Sequence, residues 1–276
     1  MSFFKNLIRQ VPCARRLLQV YLRHRRAMRS LQDQLRLARQ WAWKQTEFSN
    51  YYYELTPRNR KDLAFLISHI SGTPVTIIED LFSEIENDQI LINTLIDFRD
   101  KHPELRDSTM KIGRRIGWYA LIRIVKPKFV VETGIHHGVG ALVIASALDR
   151  NRKEGFEGEY LGTDINPKAG ELLIPPLTDH CTLAIGDSVT TLQGLQTKVD
   201  FFINDSEHSE EYEAKEYSSI EKKLSSKAYI LGDNSHASNA LREFSEKTGR
   251  NFIFFKEEPL NHFYGGAGIG ISFRVN

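Results

Sequence analysis

Val131-Glu132-Thr133-Gly134-Ile135-His136-His137-Gly138-Val139-Gly140 follows an apolar run that begins at Phe129, and it opens a helical stretch. A β-rich run, a turn with glycines at 134, 138 and 140, and then a helix make the first strand-turn-helix step of an α/β chain. Glycine lets the backbone turn sharply and approach a ligand closely, and the N-terminus of the following helix offers N–H groups that have no intrahelical partner. Taken alone, the pattern also suits dinucleotide enzymes, so its context has to narrow it.

Downstream, short β-rich runs alternate with helical stretches at Tyr160–Asp164, Thr182–Ile185, Phe201–Asn204, Tyr229–Leu231, Phe252–Phe255 and Ile269–Phe273. That alternation predicts a mostly parallel sheet of seven strands covered on both faces. Only a loop separates the last two runs, so the final strand is expected to pair antiparallel with its neighbour. The strand ends are polar. Asp164 closes the second and can accept from both ribose hydroxyls, and Gly186-Asp187-Ser188 follows the third, where an adenine edge would lie. Asn204-Asp205-Ser206-Glu207-His208 and Gly232-Asp233-Asn234-Ser235-His236 follow the fourth and fifth, 28 residues apart. Neighbouring strands lie about 4.8 Å apart, which would let Asp205, Asp233 and Asn234 converge above the sheet's carboxyl edge. Three oxygen ligands with room for water suit a hard divalent cation, most simply Mg²⁺.

These residues resemble the class I S-adenosylmethionine-dependent methyltransferases, and among them the metal-dependent O-methyltransferases, a group with catechol and caffeoyl-CoA O-methyltransferases and bacterial enzymes acting on sugars of natural products. The resemblance rests on Glu132-x-Gly134-x-x-x-Gly138, Asp164-Ile165-Asn166-Pro167, Gly186-Asp187-Ser188, Asp205 and Asp233-Asn234, and it covers residues 108–276. It implies a Rossmann-like sheet and S-adenosylmethionine held by Glu132, Gly134, Gly138, Asp164, Asp187 and Ser188. It also implies a divalent metal, Mg²⁺, on Asp205, Asp233 and Asn234, and methyl transfer to a hydroxyl of a small molecule or glycan. Two departures stand out. Gly140 occupies a place where several members carry a cofactor-binding Ser, and His208 stands where the catechol enzymes have Lys. A His is a credible general base at neutral pH, with a hydrogen-bonding group behind the ligands or a direct metal ligand as its other roles. His136-His137 suits substrate contact better than ligation, because adjacent residues point apart. Two other classes fit the same acids: a metal-dependent hydroxylase or oxidoreductase using iron, and a methyltransferase-like binding protein without turnover.

Upstream of Pro127 the period is helical. Thr56-Pro57 and Thr73-Pro74 each place a capping hydroxyl before proline, predicting helices at 57–71 and 74–86, with others at 88–101 and from Ser108 to Val125. A long amphipathic helix starting at Pro12 carries Leu17, Tyr21, Met28, Leu31, Leu35, Ala38 and Ala42 at steps of three, four or seven. The expected organisation is a basic arm at 1–46, a helical region at 47–107 and the catalytic domain at 108–276. The formal net charge of +2 conceals a division, with eleven basic residues and one acid in residues 1–46, or +10, against −8 elsewhere. Three partners suit such an arm. One is a second subunit or the body itself, docked along the apolar stripe. Another is an anionic membrane, suited by Phe3, Phe4, Leu7, Ile8 and Val11 beside the basic residues. The third is nucleic acid, for which no recognised binding motif accompanies the arginines. With two distant cysteines and no apolar run near the roughly 18 residues of a membrane span, a cytoplasmic protein is expected.

Overall fold

A computed structural model of the chain describes residues 12–43, 51–102 and 111–274. The expectations placed on Phe3 to Val11 and on Ser108 lie outside these residues. The described residues form two compact units, one holding the first helix with Asn261–Tyr264, the other holding the remainder.

In the first unit, α1 (Pro12–Ala42) is a single helix of 31 residues, as its period predicts. Its apolar positions Leu17, Tyr21, Met28, Leu31 and Leu35 are exposed. Near its end the Trp41 ring lies 4.6 Å from that of Phe263. No helix among the described residues is long and apolar enough to cross a membrane.

The second unit begins with α2 (Pro57–Ser71), α3 (Val75–Glu86), α4 (Gln89–Lys101) and α5 (Arg115–Val125). Thr56 caps α2 as expected, its hydroxyl accepting from the Asn59 N–H at 3.2 Å with Pro57 at the first position. Thr73 does not repeat this: Pro74 is itself the cap and the Thr73 N–H donates to Ser71 Oγ, so α3 starts at Val75. The helix expected from Ser108 starts at Arg115, because Gly113 turns the chain at φ +51° just before it.

Seven strands follow: β1 (Phe129–Thr133), β2 (Glu159–Asp164), β3 (Cys181–Ile185), β4 (Val199–Asn204), β5 (Leu224–Gly232), β6 (Asn251–Lys256) and β7 (Gly268–Phe273). They lie in the order β3-β2-β1-β4-β5-β7-β6, parallel except where β7 runs against β5 and β6. Between them come α6 (Val139–Lys153), α7 (Ser188–Gly194), α8 (Glu210–Ile220) and α9 (Ala240–Lys247). Every residue from Val139 to Leu148 is buried, because α6 touches β2 as well as α4 and α5 and so has no wet face. Each fully buried Val, Leu or Ile in it stabilises the fold by roughly 1.5–3 kcal/mol. A second cluster gathers Val131, Phe202 and Ile230 of the sheet with Tyr217, Ile220, Leu241 and Phe244 of the helices.

Candidate functional site

β1 and β4 are neighbours at the point where the strand order reverses, which in open α/β sheets is where the carboxyl edge opens into a crevice. Thr133 pairs with Asn204 and Asn204 with Gly232, so the chains leave the sheet side by side. The ladder continues one residue further: the Asp205 N–H donates to Thr133 O and the Asp233 N–H to Asn204 O, each at 2.9 Å. Gly134 has φ +81°, and a Cβ there would collide with the Asp205 carbonyl, so only glycine lets the two loops lie this close.

Gly138, at φ +96°, caps α6 without a side chain, leaving the first-turn N–H groups of Val139, Gly140 and Ala141 without a side-chain acceptor. Such a terminus is a seat for an anionic group. At Gly140 a Cβ would meet the Glu132 carboxyl and lie 2.9 Å from the Trp118 ring, so the Ser of related enzymes has no room here. Asp164 ties the glycine turn down, accepting from the Ile135 and His136 N–H groups at 3.0 and 2.8 Å and from the Asn166 N–H at 2.8 Å. Those three bonds leave it part of a carboxylate's roughly four acceptor sites. Glu132 is buried, accepts from the Tyr160 hydroxyl at 2.5 Å, and is pushed up to about 7 by desolvation. His137 packs its ring 5.2 Å from Phe98, with Nδ1 3.8 Å from Glu171.

Asp187 caps α7 through the Thr190 N–H and accepts from the Tyr212 hydroxyl, both at 2.7 Å. The Ser188 hydroxyl donates to Glu216, which also accepts from Asn204 Nδ2 and Ser206 Oγ. Glu216 is fully buried and gathers the ends of three segments, a role the sequence reading missed.

Asp205 and Asp233 come together at the ends of β4 and β5, close enough for each to act on the other's titration. Burial and the neighbouring charge raise the Asp205 pKa well above the carboxylate range, while Asp233, against the effect of burial, is held low by the Arg114 guanidinium. The arginines are the unexpected component. Arg114 Nη2 is paired with Asp233 Oδ1 and its Nη1 lies 3.2 Å from Glu257 Oε1, while Arg115 Nη2 lies 3.7 Å from Asp205 Oδ2. Glu257 also takes the Tyr53 hydroxyl. Asn234 uses its amide N–H on the His208 carbonyl at 2.9 Å, which fixes the loop carrying His208, and the His208 residue itself is exposed. Among the described residues no group of three His, Cys, Asp or Glu side chains is arranged to hold a metal. The expected Mg²⁺ ligands Asp205, Asp233 and Asn234 are a different donor set, and as they stand they do not fit a cation because both carboxylates have a guanidinium beside them. The one sequence signal for this was the pair Arg114-Arg115, two charges set between the apolar positions Ile112 and Ile116 of the predicted helix.

Residues 131–235 match a family model described as a methyltransferase domain. The fold is that of solved O-methyltransferases. One, from Bacillus cereus in complex with S-adenosylhomocysteine, matches with a TM-score of 0.50 at 16% identity, covering 68% of this chain and 92% of that one. TomG from Streptomyces achromogenes, an O-methyltransferase of tomaymycin synthesis in complex with S-adenosylmethionine, gives 0.52 at 15%, covering 69% and 91%. A methyltransferase from Podospora anserina with S-adenosylhomocysteine bound gives 0.51 at 15%, covering 83% and 100%. No curated protein matches the chain.

Proposed function

Starting from a methyltransferase domain at residues 131–235, we propose that the chain transfers a methyl group from S-adenosylmethionine to a hydroxyl of a small molecule or glycan. The observation that carries this reading is the glycine turn leading into an α6 N-terminus with no capping side chain, inside the matched residues and at the reversal of strand order. When bound, the cofactor supplies an electrophilic sulfonium methyl. The N–H groups at the start of α6, beside Gly134 and Gly138, would take its carboxylate, the free acceptor capacity of Asp164 its ribose, and Asp187 and Ser188 its adenine side. Glu132 lies behind this turn and shapes it through Gly140. His208 would receive the acceptor's proton as the oxygen attacks, a task for an imidazole at neutral pH. The carboxylates that would hold Mg²⁺ are paired with Arg114 and Arg115, so no step here uses a metal ion.

The test is calorimetric titration of S-adenosylmethionine into the full chain, followed by methyl transfer to a panel of hydroxylated acceptors, read by mass. One-to-one binding and a product heavier by one methylene unit are expected; absence of cofactor binding would overturn the reading. Binding without transfer to any acceptor would favour the non-catalytic alternative.

For the arm, the observation that discriminates is charge. α1 presents eight arginines against Asp33 beside its exposed stripe. A second α1 laid along it would repeat that positive charge, whereas an anionic lipid surface would compensate it. Peripheral attachment to such a surface is the role this arrangement favours.

A further inference from the structure

Two carboxylates delivered by adjacent parallel strands to one buried point are stabilised by a shared proton or by a cation beside them. In this chain α5 supplies the cation from the protein itself. Gly113 turns the backbone so that the helix begins with Arg114 and Arg115, and both guanidiniums reach the strand ends. Arg114 bridges Asp233 and Glu257, and Arg115 stands 3.7 Å from Asp205. The Arg114 side chain is only 10% exposed and that of Glu257 is fully buried, so this bridge is part of the interior rather than a surface pair. A guanidinium is planar, always charged and donates through five N–H groups, so it can neutralise two acids at once and still have donors left. Here the Nε–H groups of both arginines are buried and have no hydrogen-bond partner. A divalent cation would need oxygen ligands at about 2.0–2.6 Å and would have to compete for these carboxylates with the guanidiniums already beside them.

We propose that Arg114 and Arg115 take, as built-in cations, the place of the divalent cation expected at Asp205 and Asp233, so that this site works without a metal. The inference deepens the methyl-transfer reading and rests on it only for the identity of the substrate. Arginine differs from a metal in what it asks of that substrate. A metal favours two adjacent oxygens as chelating ligands and acidifies the hydroxyl it holds, demands that a site neutralised by guanidiniums does not make. The acceptor class that follows is a mono-hydroxyl or a hydroxyl beside a hydrogen-bond acceptor, not an obligatory vicinal diol.

The experiment is titration of Mn²⁺ alone into the full wild-type chain, followed by electron paramagnetic resonance and calorimetry up to ~1 mM, the weak end of protein sites for hard cations. S-adenosylmethionine binding is measured in parallel with and without chelator. Wild type is expected to take up no stoichiometric Mn²⁺ and to bind the cofactor equally well with chelator. Arg114→Ala is expected to gain a one-to-one Mn²⁺ site and a metal-dependent rise in melting temperature, because Asp233 and Glu257 lose their cation. A single Mn²⁺ bound by wild type and lost in Asp233→Asn would overturn the proposal, and that measurement does not depend on the folding of Arg114→Ala. Failure of cofactor binding, with Mn²⁺ still refused, would count against methyl transfer and leave the cation assignment standing.

Discussion

Glu132 is the residue whose titration reports most directly on the interior. Desolvation raises it to about 7, against the Tyr160 hydrogen bond and the charge of Arg115, which both lower it. An unfolded Glu releases its proton near pH 4.3, so between about pH 4.3 and 7 the folded chain keeps a proton that the unfolded chain has lost. Stability owed to this group is therefore full at low pH and declines as pH rises through that window, costing on the order of 3 kcal/mol above it. Glu132→Gln keeps an acceptor for Tyr160 and removes the charge. Melting temperatures from about pH 5 to about pH 8 are expected to show the variant gaining on wild type as pH rises; parallel curves would refute the assignment. Sequence alone identifies Glu132 as part of a glycine-turn motif but not its depth, because Tyr160 and Trp118 reach it through strand pairing and helix packing that no local pattern encodes. Gly140 shows the same limit. Its departure from related enzymes was visible as a missing hydroxyl, and the cause, a carboxyl and an indole already in that space, was visible only in three dimensions.

Among the elements, all seven strands were legible because alternation with helices and β-branched or aromatic runs agree along the whole of the sheet-forming region, and the register of β4 with β5 brings Asp205 and Asp233 together as their spacing suggested. The start of α5 was not legible. Its apolar period extends backward past Gly113, and nothing in that period signals a turn that depends on the Tyr53 carbonyl lying where a Cβ would sit, 2.9 Å away. This turn aims both arginines, so the charged half of the site was hidden with it. Gly113→Ala tests the point against Gly155→Ala. Both positions have positive φ, but Gly155 faces open space. Denaturant unfolding is expected to show a loss of about 1–2 kcal/mol for Gly155→Ala, from left-handed backbone strain alone, and a larger loss for Gly113→Ala. Equal losses would show that the approach of Tyr53 does not constrain the turn.

For the molecule as a whole, a formal net charge of +2 averages an acidic body and a basic arm. Co-sedimentation with vesicles is expected to retain the full chain on phosphatidylserine-containing membranes and not on neutral ones, with release as salt shortens the screening length. Deleting residues 1–46 is expected to abolish retention while S-adenosylmethionine binding survives. Retention that survives the deletion would assign the attraction elsewhere. The order of the strands has a consequence in time. β7 pairs with β5 through Ile230–Ser272, Leu231–Ile271 and Gly232–Gly270, and among the described residues β6 at the sheet's margin pairs only with β7. During synthesis β5, whose end leads into Asp233, is made before the partner that closes its open side, and that edge stays unpaired until Gly268–Phe273 has left the ribosome. Nascent-chain chaperones should engage this protein late in translation, and release it only once its penultimate gap is filled.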